Sequence, residues 1–410
     1  MCRFGLLLAI GASMCVFASD PIPKSEHHAR RDALRKNLDG TLVLFGWTEG
    51  NDAVYRTAQG TNFQYLSGWT EPGAILLITP AEEKLFIPHR NARNEIYNGH
   101  RAAAEDSDAK QVTGFDNVLP MERFESSVRA ALDSHLPFYA QGDPEQIAKL
   151  KTLLAFREVS SPQNLIAGLR VKKSAAEIAA IQHATDVSIK AHLAAWKRLQ
   201  PGTYEYQAAA TFSATLLEAG CEAHAYEPIF GSGPNGTTLH YSANSRRMDS
   251  GEVIVIDAAA KCDGYTSDIT RTLPIGGKFS ARQREIYEIV LGAQQAVIDA
   301  AKPGVALSDL TKIARDYIDK HGKDRQGNSL GKYMPHGVSH PVGLDVHDPA
   351  PMMAKLEPGM VVTVEPGIYL KDENIGVRIE DVILVTEKGA TVLSAALPRG
   401  PDEVEKALAK

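Results

Sequence analysis

Four acidic residues stand in or beside strand-like apolar runs, where a charge is least welcome. Asp257 ends Val253-Ile-Val-Ile256, Glu365 ends Val361-Val-Thr-Val364, Glu380 falls inside the run 377–385, and Asp268 precedes the run 269–273. Strands this apolar are buried on at least one face. A carboxylate held there without a partner costs several kcal/mol even after relaxation, so each must be neutralised. Arg271 and Arg378 are the cations at hand, and two of them cannot balance four acids. Two divalent metal ions can.

A histidine cluster fits the same chemistry. His336-Gly-Val-Ser-His340-Pro-Val-Gly-Leu-Asp-Val-His347 sets three histidines within twelve positions, and His340 reads as a fifth metal ligand. Oxygen donors with one imidazole suit manganese, or iron, cobalt or zinc, better than a thiolate-seeking ion. A pair of such ions, roughly 3.5–4 Å apart, acidifies a bridging water for attack at neutral pH. The Asp257 and Asp268 strands would hold one side of the pair, and the Glu365 and Glu380 strands the other. No His-Glu-x-x-His occurs for a single-zinc site. Gly231-Ser-Gly-Pro-Asn-Gly236 matches the dinucleotide-binding pattern, yet a strand-like run over 237–241 follows it instead of a helix, so it reads as a turn.

Bringing those carboxylates together takes two distant strand pairs, and the chain carries one pattern twice. Ser174-Ala-Ala-Glu177 is a capping box that opens a helix towards Leu199. Pro201-Gly202 breaks it, residues 203–219 form the next helix, and strands follow over 252–257 and 269–273. Ser280-Ala-Arg-Gln283 opens a second long helix towards Ala301, Pro303-Gly304 breaks it, and 308–320 forms its partner before strands at 361–365 and 377–385. His240 lies 17 residues before Asp257, and His347 lies 18 before Glu365. The recurrence implies an internal duplication, with two strand hairpins facing across a shared pocket.

Residues 25–165 read as a smaller α/β domain, with strands at Thr41–Phe45, 74–79 and 84–88 and helices over 122–134 and 144–154. The stretch 91–100 reads as a solvated helix. The duplicated domain occupies 172–396, and 397–410 reads as a C-terminal tail. Hydrophobic content of 44%, charged content of 23% and a net charge of -6 describe a globular chain. Without a basic patch it lacks a nucleic-acid footprint. Arg3 before the apolar run 4–17, closed by Val16-Phe17-Ala18, reads as a secretory signal cleaved near residue 18. That run is shorter than the roughly 20 residues that span a bilayer, so the mature chain is expected to be periplasmic or secreted, without stable membrane insertion. Lipid anchoring through Cys15 is disfavoured by the bulky Met14 before it. Cys221 and Cys262 then remain, and they read as two separate thiols.

Together these motifs resemble the aminopeptidase P and prolidase family, along nearly the whole mature chain. Tyr65-Leu-Ser-Gly-Trp-Thr-Glu-Pro72 is similar to that family's N-terminal domain, and 257–272, 336–348, Glu365-Pro-Gly367 and Arg378-Ile-Glu-Asp381 are similar to its catalytic motifs. The resemblance implies an α+β pita-bread catalytic domain behind a smaller α/β domain. It makes Asp257, Asp268, His340, Glu365 and Glu380 the ligands of two divalent ions, manganese first among them, and Glu365 the proton shuttle beside a bridging hydroxide. His240, His336 and His347 would orient substrate, with His336 and His347 donating hydrogen bonds to the developing charge, and Arg378 would stand near the leaving-side pocket. The implied substrates are peptides with proline at the second position; a homo-oligomer is compatible with this. Two departures bear on substrate length: Pro341-Val342 replace a frequent tryptophan, and the link 321–333 is short and glycine-rich. A dipeptidase is the alternative activity, and a metal-free or non-catalytic protein of the same fold the remote one.

Overall fold

Short, fully buried apolar runs build the N-terminal unit around one sheet. The computed structural model describes residues 22–48, 60–133, 135–351 and 353–409; the signal expected over 1–18, with Cys2 and Cys15, lies outside them. The sheet runs in the order Val118–Pro120, Glu83–Ile87, Ile75–Ile78, Thr41–Phe45, Phe138–Gln141. The three inner strands are those expected from the sequence, each within a residue of its expected bounds, and pair antiparallel. The two outer strands run parallel to their neighbours and carried too few alternating residues to be foreseen. The helix expected over 122–134 shortens to Phe124–Ala130 behind a 3-10 turn at Met121–Arg123. Ala92–Asn98 is the solvated helix anticipated: it buries none of its residues and is capped by the Asn91 side chain.

The duplicated unit follows its two capping boxes. Ser174 Oγ accepts from Glu177 N at 3.1 Å while Glu177 Oε2 accepts from Ser174 N at 3.0 Å, starting the helix Ala175–Trp196. Ser280 and Gln283 make the same exchange at the head of Ala281–Ala300. Helices Glu205–Glu218 and Leu307–His321 complete the two pairs. In the first repeat Val253–Asp257 pairs with Thr270–Pro274 and encloses the shorter hairpin of Ala260–Cys262 with Tyr265–Thr266. In the second, Val361–Val364 pairs with Asp381–Thr386 and encloses Gly367–Leu370 with Ile375–Arg378. The nested hairpins are the pita-bread architecture.

Four sequence expectations change here. The run 377–385 is two strands, because the chain breaks at Ile379 and Glu380, where Glu380 N donates to Thr270 O of the other repeat at 3.0 Å. No strand forms over 237–241; instead a 3-10 turn, Gly233–Thr237, packs so tightly on the second repeat that a Cβ on Gly376 would lie 1.8 Å from Gly236 O. The turn reading of that glycine motif therefore holds, without the strand. Residues 397–410 are no loose tail: Pro401–Leu408 is a helix with Val404 fully buried in the first repeat's core. Cys221 and Cys262 are joined by a disulfide, with Cα atoms 4.4 Å apart. The cause is local, since Ala223–His224 pairs antiparallel with Ala260 and Lys261 and carries Cys221 onto Cys262.

The two units share a core in which Leu34, Phe63 and Leu66 meet Val342, Leu344 and Val361. Beside it, Arg170 reaches Asp348 at 2.5 Å and Asp345 at 2.9 Å, and Lys173 reaches Asp348 at 3.0 Å. These bonds anchor the loop that carries His340 and His347. Among the described residues no helix is long and apolar enough to cross a membrane.

Candidate active site

All five expected ligands line one cavity of about 330 Å³, with His240 and His347. Asp257 ends its strand opposite Thr270, and Asp268 stands just before that strand begins. Glu365 follows the strand Val361–Val364 and is held by its amide on Val338 O at 2.9 Å. Glu380 occupies the strand break, where its Oε2 accepts from Thr270 Oγ1 at 2.6 Å. His340 is fixed at its backbone by Thr363. Its Nδ1 points at Pro341 O, 3.1 Å away, so the proton belongs there and Nε2 faces Asp268 at 3.5 Å and Glu365 at 3.4 Å. Donor atoms of Asp268, His340 and Glu380 all lie within 4.8 Å of one another.

The acids are not equally provided with cations. Asp257 accepts from Arg378 Nη2 at 2.6 Å and from Tyr226 Oη at 2.5 Å. Asp268, Glu365 and Glu380 make no ion pair with lysine or arginine among the described residues. The consequences are electrostatic. Burial, with the charges of Asp268 and Asp257, pushes Glu365 up to about 7 against the opposing pull of His340 and Arg378. Burial and the three neighbouring acids drive Glu380 well above the carboxylate range. Burial opposes a charge on His340 too, but Asp268 and Glu365 hold it up to about 9. An acid cluster that must borrow protons from solvent, with one imidazole nitrogen turned towards it, fits divalent cations: they would displace those protons and restore the ionised forms.

Arg378 is buried, with Nη2 on Asp257, Nη1 on Tyr369 Oη at 2.8 Å and Nε on Thr270 Oγ1 at 3.3 Å, so these bonds tie it into the frame of the site. His336 is committed as well. Its Nδ1 donates to Gly337 O at 2.8 Å, and Tyr369 Oη, receiving from Arg378, gives its own proton to His336 Nε2 at 2.9 Å. Burial keeps this ring neutral by lowering its pKa. Without a ligand, both ring nitrogens of His336 are thus bonded within the protein. His240 and His347 make no hydrogen bond among the described residues and line the cavity, His347 with its ring 4.1 Å from that of His340.

Tyr226, Thr270 and Tyr369 belong to the site and escaped the sequence reading. Tyr226 was findable in principle, standing just before the strand Ile229–Ser232 that pairs with Asp257. Gly327-Asn-Ser-Leu-Gly331 matches a serine-elbow pattern. Ser329, however, caps the turn Leu330–Tyr333 and bonds Asp319, so it is structural.

The fold and these ligands define a metallopeptidase of one class. The model of the metallopeptidase family M24 matches residues 179–387, and that of the aminopeptidase P N-terminal domain matches 27–138. The chain belongs to the M24 family and is an enzyme. Its relatives include mouse Xaa-Pro aminopeptidase 3, 33% identical across 90% of this chain and 80% of the relative. Another is Escherichia coli Xaa-Pro aminopeptidase, 31% identical across 94% and 97%. Pseudomonas aeruginosa aminopeptidase PepP superposes with a TM-score of 0.87 over 95% of this chain and 98% of its own, at 30% identity. A Pyrococcus horikoshii Xaa-Pro dipeptidase is also 33% identical, over 84% of this chain and 92% of its own.

Proposed function

We propose that the chain removes the N-terminal residue from peptides whose second residue is proline, using two divalent ions held by Asp257, Asp268, His340, Glu365 and Glu380. The observation that carries this is the set of three acids, buried Asp268 and Glu380 and half-buried Glu365, gathered on one imidazole without lysine or arginine. Manganese suits the oxygen-rich set, with cobalt, zinc and iron as further candidates. Bound there, the ions would supply an acidified water and a Lewis acid for the scissile carbonyl.

The chain's own residues do the rest. Glu365 takes the proton of the attacking water on its carboxylate and passes it to the prolyl nitrogen, which leaves poorly without it. His240 and His347 donate to the carbonyl oxygen as charge develops. Arg378 and Tyr226 keep Asp257 in position, and Tyr369 holds the His336 ring through its Nε2.

A second, larger cavity of about 880 Å³ meets the first at His240 and is lined by Tyr333, Tyr369 and Lys371. Room on that scale on the leaving side favours peptides longer than a dipeptide. The disulfide, together with the expected signal, favours an oxidising compartment, periplasmic or extracellular. The test is chelation followed by metal add-back, with turnover of an X-Pro-Pro tripeptide compared against an X-Pro dipeptide. Tripeptide cleavage restored by manganese supports the reading. Cleavage of the dipeptide alone would make the chain a dipeptidase, and undiminished activity after chelation would overturn the metal site.

A further inference from the structure

Glu227 is a carboxylate on the wall of the catalytic cavity that the proposed chemistry leaves idle. It is exposed, lies two residues before the strand Ile229–Ser232, and shares the cavity with Tyr226 and Ile229. Ile229 pairs with Asp257 across the sheet, and the Tyr226 hydroxyl bonds Asp257, so the backbone on both sides of Glu227 is pinned to the acid cluster. Pro228 restricts Glu227 further, towards extended backbone. Among the described residues Glu227 has no ion pair and no hydrogen bond. The titratable side chain that senses it is His224, half-buried, bonded to Ser213 Oγ at 2.8 Å, its pKa lowered by burial.

The two cavities assign the flanks of the substrate. Tyr369, with His336 and Arg378 bonded to it, faces the larger space, where several residues of a leaving peptide can lie. The smaller space, about 330 Å³, holds the reacting groups. Glu227 is on that smaller side.

Building on the aminopeptidase reading, we propose that Glu227 selects peptides whose first residue, the one before proline, is arginine or lysine. The clustered acids do not compete for that cation, because the metal ions neutralise them. A guanidinium meets a carboxylate in a planar fork, and an ammonium meets it as a point charge, so arginine is the better fit. A partly exposed pair of this kind is worth a preference of about 1.5- to fivefold.

The experiment compares kcat/KM for Arg-Pro-Pro and norleucine-Pro-Pro in the manganese-loaded full chain, at low and high salt. The wild type should favour the arginine peptide about 1.5- to fivefold, mainly through KM, and high salt should compress that ratio. E227Q should bring the ratio to about one, E227D should keep part of it, and E227K should invert it. An equal ratio in wild type and E227Q, with both peptides turned over, overturns the role of Glu227 alone. Failure of the wild type to cleave either peptide would instead bring down the aminopeptidase reading, and this inference with it.

Discussion

Two clusters of buried acid lie a few residues apart along one loop and are neutralised in opposite ways. Asp348, with 2% of its side chain exposed, is gripped by Arg170 on one oxygen and Lys173 on the other, both equally buried. His347 is its neighbour in sequence and faces the other cluster, where Asp268, Glu365 and Glu380 have an imidazole and a hydroxyl but no lysine or arginine. At the junction the chain carries its own counter-charges, and the acids are structural. At the site it leaves them out, and burial raises the pKa of Glu365 and Glu380 until something else arrives. The difference lies in the supply of cations, since Glu380 is buried as Asp348 is. Asp257 falls between the two regimes, sharing the site while bonded to Arg378.

The sharpest break in that comparison is catalytic. Glu365→Gln keeps the shape but cannot carry a proton, and should cost about 100- to 10,000-fold in kcat with an unchanged circular dichroism spectrum. Wild-type turnover in that variant would remove Glu365 from the mechanism. Next comes stability, where the two clusters should respond with opposite signs. Arg170→Ala leaves Asp348 with Lys173 alone and should destabilise the fold by about 1–3 kcal/mol in urea titrations. Glu380→Gln removes an acid that must otherwise be protonated at neutral pH, and should raise the urea midpoint of the chelated protein while abolishing its gain from added metal. A loss of stability in chelated Glu380→Gln would show that this acid already has its cation.

A smaller effect separates the repeats. The disulfide closes a separation of 41 residues in the first repeat, and the described residues of the second contain no counterpart. Cys221→Ser with Cys262→Ser should cost about 2–4 kcal/mol and should spare kcat/KM, because neither cysteine lines the catalytic cavity.

The acids were legible in the sequence because a carboxylate in an apolar strand violates a local pattern, and such a violation needs no structure to be noticed. The capping boxes at Ser174 and Ser280 were legible for the same reason, being complete within four residues. What stayed hidden depended on residues far apart along the chain. Arg378 is 121 positions from Asp257, and no spacing rule joins them. The disulfide needed the pairing of a two-residue strand, too short to carry any periodicity. The break at Glu380 is set by Thr270 of the other repeat, so local propensity read one strand where two exist.

The last and smallest contrast is in the response to pH, for which His27 in the N-terminal helix supplies the opposite pole to the site. His27 is buried with its Nδ1 at 3.0 Å from Tyr65 O; burial, helped by Arg30 and Arg31 and opposed by the Tyr65 bond, pulls its pKa to about 4 from 6.5. Between those values the unfolded chain binds more protons, so this contribution is intact above pH 6.5 and is lost as pH falls towards 4. Glu365 in chelated protein runs the other way. Raised from 4.5 to about 7, it takes up protons on folding, so its contribution is intact below pH 4.5 and is lost as pH rises through 7. Urea midpoints of chelated protein should therefore fall on both limbs, saturating metal should rescue the alkaline limb, and His27→Gln should flatten the acid one. An alkaline limb that metal leaves unchanged would mean that Glu365 does not contact the ions.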